Sequence, residues 1–489
     1  MNIYNKYWVL FIFLVFAIII YYNALYVGFI SDDFAFFYGI ETKSWNSIYD
    51  NFSDSFFLPL SHLLQLFLFK IFGENSFIFH LIKIVLHVMI AFQLYLLILQ
   101  FLDNENKQKY YFFAFITSLI FLILPYQTEA VVWIASNSYV YSLLFGILAI
   151  RYYYYKKMPL CWIFILASIL CKEMGYIIPF VILTLEWYFN NIKTYRRYFP
   201  MMLLIVMINL LLRYIVIGSI IGGYGTDIHL NFSVDIILHY IAYFLKFLTF
   251  FRFINGVFFF VFVSFILLII VYFLSKQNWK IFYKKQLFII ALFLISLLPI
   301  INLEITSLYE IESDRYSYFS TVSVSLALGY LIVYLNLKIA RNILIVFFVV
   351  MFSYLSFIDV GKWKVASEIC YTYLTQLSKQ DINNKRILLL NVPDTYKGVY
   401  VLRNGVVDYL LKNNINCEVQ ILAYQEFKNN NSGMFVINDS LINNNASTSY
   451  ISYKNDLYGI DNFNIKDKDL LHFDMVYYYN NKKFYKYYD

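Results

Sequence analysis

The sequence predicts an all-α polytopic membrane protein with a small C-terminal α/β domain, and three observations lead to that fold class. First, 61% of its 489 residues are hydrophobic and 14% are charged, whereas a soluble domain is usually about 25% charged. Second, the mean hydropathy of +0.62 leaves too few polar side chains to cover a water-exposed surface. Third, residues 359–489 carry 15 basic and 14 acidic side chains, an ordinary density for an aqueous domain. This composition excludes a soluble enzyme, a disordered chain, a disulfide scaffold and a nucleic-acid binder.

The chain is predicted to divide into a membrane body at 1–358, a connector at 359–380 and an extracytoplasmic domain at 381–489. Eleven apolar runs in the body are long enough, or nearly so, to cross a bilayer. The runs cover residues 7–30, 78–102, 110–124, 130–150, 159–171, 175–190, 199–217, 256–275, 286–302, 318–336 and 342–358. The first is too long for the apolar region of a signal peptide and is interpreted as a retained helix.

The charges of the loops predict the orientation. With the amino terminus inside, 15 basic residues of the body fall in inner segments and six in outer ones, as the positive-inside rule expects. The segment 233–253 carries Asp235, His239, Lys246 and Arg252 and is predicted as an amphipathic helix on the outer face. An odd number of spans then places the C-terminal domain outside, in what we interpret as a bacterial inner membrane. Fourteen of the body's 17 acidic residues also fall on the outer side, so we expect the chemistry there.

An acidic pair follows the first span, at Asp32 and Asp33. Two adjacent carboxylates at a membrane boundary lose hydration and repel each other, which raises the pKa of at least one and suits a general base. The alternative is a helix end marked by solvated acids. The outer loop that carries the pair, 31–77, is long, aromatic and amphipathic, and it includes His62.

A helical face at the start of the second span presents three nitrogen donors, His80, Lys83 and His87, at intervals of three and four. Ionisable groups at that depth usually face a cavity or a partner. The alternative is ordinary hydrogen bonding between helices. A metal site is not indicated, because a third neutral ligand is not evident.

Three further outer turns are polar in an otherwise apolar chain. They contain Glu129, the pair Lys172 and Glu173, and the run Asp314-Arg315-Tyr316. A lipid-borne phosphate needs cations of this kind, and arginine can bind it through two hydrogen bonds. Simple ion pairs are the alternative interpretation.

Taken in order, these motifs resemble those of GT-C glycosyltransferases, and most closely the membrane half of the tetratricopeptide-linked protein O-mannosyltransferases and their bacterial relatives. The resemblance covers roughly residues 1–375. The motifs are Asp32-Asp33, Pro59-Leu60-Ser61, Phe72-Gly73-x-Asn75, Phe79-His80 with His87, Thr128-Glu129-Ala130-Val131, Lys172-Glu173-x-Gly175 and Asp314-Arg315-Tyr316-x-Tyr318. The chain departs from the family at Leu58, where arginine is common, at Lys83, where asparagine is usual, and at Asn137, where arginine is frequent. No tetratricopeptide repeats follow.

The resemblance implies an inverting transfer of a sugar, in the manner of a mannosyltransferase or another hexosyltransferase, from a polyprenyl-phosphate carrier to an extracytoplasmic protein, lipid or glycan. Asp32 or Asp33 would remove the acceptor proton, while Lys172, Arg315 or His80 would hold the departing phosphate. No nucleotide or redox cofactor is called for. The side chains implied in substrate binding are His62, His80, His87, Glu129, Lys172, Glu173, Asp314, Arg315 and Tyr316.

The C-terminal domain reads as a small α/β layer. Strands are predicted at 386–392 and 419–424, a turn at Pro393-Asp394, and a helix at 399–411. The turn at 393–398 could bind an acceptor, but a strand-to-helix connection needs the same residue types.

Two alternative functions, from protein classes other than glycosyltransferases, make different predictions. A lipid-linked oligosaccharide flippase or polysaccharide exporter predicts charged residues near the midplane of several spans. A non-catalytic scaffold for envelope assembly predicts no ordered outer acidic cluster.

Overall fold

The computed structural model describes residues 6–43, 56–101, 107–218, 220, 234–249, 279–300, 310–335, 337–424, 450–452, 473–480 and 483–486. The described residues fall into two compact units, one within Met1–Tyr22 and Asn46–Val360, the other within Asn23–Trp45 and Gly361–Asp489. The predicted run at 256–275 lies outside the described residues.

The chain is mostly helical. The helices, in order, are α1 Lys6–Tyr21, α2 Asp32–Lys43, α3 Pro59–Phe72, α4 Ser76–Leu99, α5 Lys107–Ile123, α6 Thr128–Val132, α7 Asn137–Tyr154, α8 Met158–Cys171, α9 Ile178–Tyr188, α10 Ile192–Ile217, α11 Val234–Thr249, α12 Trp279–Leu297, α13 Ser320–Val333, α14 Lys338–Leu377 and α15 Val406–Lys412. The apolar helices and the C-terminal sheet confirm the predicted class: an all-α polytopic membrane body with a small α/β addition.

Within the described ranges, five helices are long and apolar enough to cross a membrane, or six if the bent pair formed by α5 and 125–132 is one span. They are Lys6–Tyr26, Ser76–Leu99, Ile134–Tyr154, Tyr195–Ile217 and Lys338–Leu377. Several other predicted runs form shorter apolar helices, among them α8 and α13. The eleven spans and their orientation stay predictions.

Three short 3-10 turns interrupt the apolar helices, and they coincide with the polar motifs. The turns are Pro125–Gln127, Glu173–Ile177 and Asp314–Ser317. At the second, a Cβ atom on Gly175 would lie 2.6 Å from the backbone nitrogen of Ile169. Only glycine therefore allows this turn to pack against the end of α8, which explains a glycine in the Lys172-Glu173-x-Gly175 motif.

The amphipathic segment predicted at 233–253 is helical over α11, Val234–Thr249. Its position on the outer face stays a prediction. One of its charged residues, Lys246, is buried, with 1% of its surface exposed.

The second unit contains a five-stranded sheet in the order β5-β4-β1-β6-β7. The strands are β1 Arg386–Pro393, β4 Glu418–Tyr424, β5 Tyr450–Ser452, β6 Met475–Asn480 and β7 Lys483–Lys486. Strand β1 is central and runs parallel to both β4 and β6, and its side chains at 387–390 are fully buried. The two strands predicted from sequence are therefore present.

The predicted helix at 399–411 begins later than expected, at Val406. Val399–Tyr400 instead forms strand β3, which pairs with β2, Thr395–Tyr396. Lys397 and Gly398 have positive φ angles of 47° and 81°, and such residues close a tight hairpin turn. Sequence periodicity missed this hairpin because its strands are only two residues long.

The second unit also includes residues 23–45, which the sequence had assigned to the membrane body. Helix α2 from this segment packs against α15, with the rings of Phe34 and Tyr409 5.4 Å apart. An aromatic helix of this kind buries its rings against whichever apolar face the fold supplies.

Candidate active site

Arg315 and Glu129 form a buried ion pair in the first unit. The backbone N–H of Arg315 donates to Glu129 Oε2 at 2.7 Å, and its guanidinium binds Glu129 Oε1. Arg315 Nη2 also donates to the hydroxyl of Tyr316 at 2.8 Å, and the guanidinium lies over the rings of Trp133 and Tyr316. The side chain is therefore fixed in one orientation, as a precise electrostatic contact requires.

Asp314, the neighbour of Arg315, has its own cation. Lys246 Nζ lies 2.6 Å from Asp314 Oδ1, and neither side chain has exposed surface. Tyr126 donates to the Lys246 carbonyl at 2.6 Å, which anchors the helix that carries this lysine. Lys246 is therefore a cation for Asp314, as Arg315 is for Glu129.

A second cation cluster lies at the end of α8. Glu173 pairs with Lys172 at 3.1 Å and with Arg213 at 2.9 Å. Burial alone would raise the pKa of the Glu173 carboxyl, but the charges of Lys172 and Arg213 hold that pKa below its usual value. Two cations therefore contact one carboxylate in this cluster. The Arg315–Glu129 and Lys246–Asp314 pairs each bring one cation to one carboxylate.

Two tyrosines connect the clusters. Lys172 Nζ lies 5.1 Å from the ring centre of Tyr139, the ring of Tyr139 contacts that of Tyr316 at 6.2 Å, and Arg315 lies 4.4 Å from the same Tyr316 ring. Lys172 and Arg315 therefore each lie against one of two tyrosine rings that contact each other within this unit.

His87 has protein partners on both ring nitrogens. Its Nε2 lies 3.1 Å from the Leu122 carbonyl and its Nδ1 lies 2.8 Å from the Tyr318 hydroxyl. Because a carbonyl only accepts, Nε2 carries the proton and Nδ1 accepts from Tyr318. This is the geometry expected for hydrogen bonding between helices, the alternative that the sequence left open.

Lys83 supports the turn that presents Glu129. Its ammonium group binds the Trp133 carbonyl and donates to Ser136 Oγ at 3.1 Å, and Ser136 in turn donates to the Glu129 carbonyl at 2.9 Å. Two histidines of the predicted site, His62 and His80, are buried in the same unit. Their roles in substrate binding stay predictions.

Asp32 and Asp33 lie at the first turn of α2, in the second unit, and they differ. Asp33 is 1% exposed, and its Oδ2 accepts from the backbone N–H of Ile30 at 3.1 Å. Asp32 is half-buried, and its Oδ1 accepts from Asn404 Nδ2 at 2.5 Å. One carboxylate of the pair therefore stabilises its own loop, while the other reaches the surface of the unit.

The first unit also encloses an apolar cavity of about 250 Å³. Part of its lining comes from one face of α13 and from the residues that flank this helix. These residues are Phe319, Val322, Ser323, Leu326, Tyr330 and Tyr334. At a rise of about 1.5 Å per residue this stretch is roughly 20 Å long. The cavity therefore begins directly after the turn that carries Arg315.

Several side chains of the site were not singled out in the sequence for this role: Arg213, Lys246, Trp133 and Tyr139. Arg213 and Lys246 were visible as charges in apolar surroundings. The two aromatic residues gave no signal, because 22% of the chain is aromatic.

No protein-family model matches the sequence, and no curated protein matches it. Among solved structures, the chain is similar to the crystal structure of ArnT from Cupriavidus metallidurans bound to undecaprenyl phosphate. The two share 10% identity, with 85% of this chain and 93% of that chain covered and a TM-score of 0.46. A likeness at this level assigns neither an activity nor a ligand to this chain.

Proposed function

We propose that the protein is a membrane glycosyltransferase of the GT-C type, which transfers a sugar from a polyprenyl-phosphate carrier to an extracytoplasmic hydroxyl group with inversion. The observation that carries the proposal is the cluster in which Lys172 and Arg213 both contact Glu173, joined through Tyr139 and Tyr316 to Arg315. A phosphate monoester or diester is the anion that such a set of cations holds best.

The leaving group sets the electrostatic requirement. When the bond between the anomeric carbon and the phosphate oxygen breaks, the lipid phosphate gains negative charge. Lys172 is the cation proposed to hold that charge, because it shares the Glu173 carboxylate with a second cation, Arg213. Fixed cations in a partly buried site stabilise a developing anion far better than mobile ones in water.

Asp32 is the proposed general base. It accepts the proton of the acceptor hydroxyl as that oxygen attacks the anomeric carbon from the face opposite the phosphate. A base needs access to substrate, and Asp32 is half-buried whereas Asp33 is fully buried and bonded to its own loop. Asp33 is proposed to hold the loop in shape.

The apolar cavity along α13 supports a lipid-linked donor rather than a nucleotide sugar. It is lined almost wholly by aliphatic and aromatic side chains and begins next to the Arg315 turn. An isoprenoid chain bound there would leave its phosphate near Arg315 and Lys172. The expected partners are thus a polyprenyl-phosphate sugar in the membrane and an acceptor outside the cytoplasm, with no nucleotide or redox cofactor.

The test uses the purified full-length protein in lipid vesicles, with a panel of polyprenyl-phosphate hexoses carrying labelled sugars. The readout is release of polyprenyl phosphate in the presence of hydroxyl acceptors. We expect Asp32→Asn to lose release without lowering its abundance or thermal unfolding midpoint. Glu41→Gln, a change at an exposed acid of the same helix, is the matched control. Transfer that persists in Asp32→Asn would refute the assignment.

A further inference from the structure

The loop at residues 401–405 of the C-terminal domain holds the Ser31-Asp32 segment through its backbone. The N–H of Ser31 donates to the Val401 carbonyl at 3.0 Å, and the N–H of Asn404 donates to Ser31 Oγ at 3.4 Å. These contacts join residues separated by some 370 positions in sequence, and all of them lie within the second compact unit.

The contact is close enough to constrain both partners. Ser31 has a φ of +48° and Gly405 a φ of +87°. Residues other than glycine rarely adopt these left-handed backbone conformations. A Cβ atom on Gly405 would collide with the Ser31 carbonyl oxygen. Ser31 can hold its left-handed conformation only because the surrounding bonds favour it.

The loop is itself attached to the central strand. Arg403 donates from Nε and Nη2 to Asp394 at 3.1 and 2.8 Å, and Asp394 directly follows β1 and is fully buried. The N–H of Val401 also donates to the Asp394 carbonyl at 2.9 Å. The end of β1 therefore fixes the loop, and the loop fixes Ser31.

The same loop also forms a side-chain hydrogen bond with the Asp32 carboxylate. Asn404 Nδ2 donates to Asp32 Oδ1 at 2.5 Å. A donor to a carboxylate favours the ionised form and restricts rotation about the side-chain bonds of the aspartate. Both effects benefit a residue that must accept a proton from a fixed direction.

We propose that Asn404 is a positioning residue for the general base, and that the C-terminal domain serves to orient Asp32 rather than to bind the acceptor through its 393–398 turn. The proposal rests on the proposed function. Asp394, the one carboxylate in the sequence of that turn, is buried and bonded to Arg403, which agrees with a structural role.

Among the described residues of this unit, Asp33 is the sequence neighbour of Asp32, and Asp408 on α15 lies close enough for its charge to interact with that of Asp32. Asp408 and Asn404 have opposite effects on Asp32. The negative charge of Asp408 disfavours ionisation of Asp32, whereas the hydrogen bond from the Asn404 amide favours it. Removing the amide therefore leaves the repulsion unbalanced, and the pKa of Asp32 should rise.

The experiment compares Asn404→Ala and Asn404→Gln with the wild-type full-length protein in vesicles. The matched control is Asn413→Ala, which removes an exposed side-chain amide that donates to the Tyr409 carbonyl near the end of α15. The readouts are kcat, KM for the donor, the pH dependence of kcat/KM, and hydrogen exchange of peptides within residues 28–43.

For Asn404→Ala we expect kcat to fall about tenfold with donor KM unchanged, and the acidic limb of the pH profile to move up by about half a unit, since the bond is solvent-exposed. Hydrogen exchange of the 28–43 peptides should rise. Asn404→Gln, which keeps an amide donor, should recover part of kcat, and Asn413→Ala should match wild type.

Unchanged kcat, pH profile and hydrogen exchange in Asn404→Ala would overturn the positioning role while leaving the glycosyltransferase proposal intact. A fall in kcat without a shift of the pH profile would also overturn it, since a merely structural defect gives that result. If the wild-type protein transfers no sugar, the proposed function fails, and hydrogen exchange alone still decides whether Asn404 orders the Asp32 segment.

Discussion

Lys246 and Asp314 form an ion pair in which Nζ and Oδ1 are 2.6 Å apart and neither side chain is exposed. The two residues come from different helical segments and balance each other's charge inside apolar surroundings. Removing either one deprives a buried charge of its partner in this pair, and breaking a buried pair in this way typically costs about 3 to 5 kcal/mol.

The first prediction concerns this pair. Lys246→Met and Asp314→Asn should each lower the thermal unfolding midpoint of the detergent-purified protein, and the double variant should recover most of the loss because no charge is then left unpaired. Lys338→Met, which changes an exposed lysine, should have no measurable effect. Additive losses in the double variant would show that the pair is not electrostatically coupled.

The second prediction concerns Lys172 and the leaving phosphate. Lys172→Met should reduce kcat/KM by about a hundredfold, the usual cost of losing one contact to a developing anion, and Lys172→Arg should retain part of the activity because it keeps the charge. Lys70→Met removes an exposed lysine near the end of α3 and should leave kcat/KM unchanged. An equal loss in both methionine variants would contradict a specific role for Lys172.

The third prediction follows from the depressed pKa of Glu173. A carboxyl whose pKa is lower in the folded state stabilises the protein above its unfolded pKa, about 4.3, and that contribution is lost as the pH falls through the folded value. Glu173→Gln should therefore lower the unfolding midpoint at pH 7, and the difference from wild type should shrink below about pH 4. Glu41→Gln should show no such pH dependence. A constant difference from pH 7 to pH 3 would argue against charge pairing with Lys172 and Arg213.

The fourth prediction concerns Asp408, whose pKa shift is opposite in direction to that of Glu173. Burial raises the pKa of its carboxyl, and the charge of Asp32 raises it further. Ionised Asp408 thus costs stability above its folded pKa, and the cost vanishes below the unfolded value of about 3.9. Asp408→Asn should raise the unfolding midpoint at pH 7 but not at pH 3.

The same variant should move the acidic limb of the kcat/KM profile to lower pH, because Asp32 loses a neighbouring negative charge. Asp381→Asn changes a surface carboxylate paired with Lys385 and should alter neither measurement, since exposed pairs contribute little. Destabilisation by Asp408→Asn at pH 7 would contradict the electrostatic argument.

The fifth prediction concerns the apolar cavity. Leu326→Trp should fill part of it and raise KM about tenfold for a donor with a long isoprenoid chain, while a donor with two isoprene units should be unaffected because it does not reach that depth. Leu211→Trp places the same bulk at an exposed site on α10 and should leave both KM values unchanged. Equal increases for long and short donors would place the lipid chain elsewhere.

Several features could be predicted from the sequence because they depend on local composition. The membrane body, the strand at 386–392 and the polar turns around Glu129, Lys172 and Arg315 all follow from where apolar periodicity persists and where it stops. The hairpin at 395–400 was mistaken for helix, because two-residue strands leave no periodic pattern to detect.

The amino-acid sequence by itself determined that this is a helical membrane protein and that cations and carboxylates recur at a few of its turns. Only the tertiary structure decided the partners: Glu129 with Arg315, Lys246 with Asp314, Arg213 with Glu173, and Asn404 with Asp32. The physical reason is that the local pattern of apolar residues predicts which helices and strands are buried. Which polar side chains pair with each other depends instead on contacts between segments up to 372 positions apart. Such contacts form only when loop closure brings the segments together.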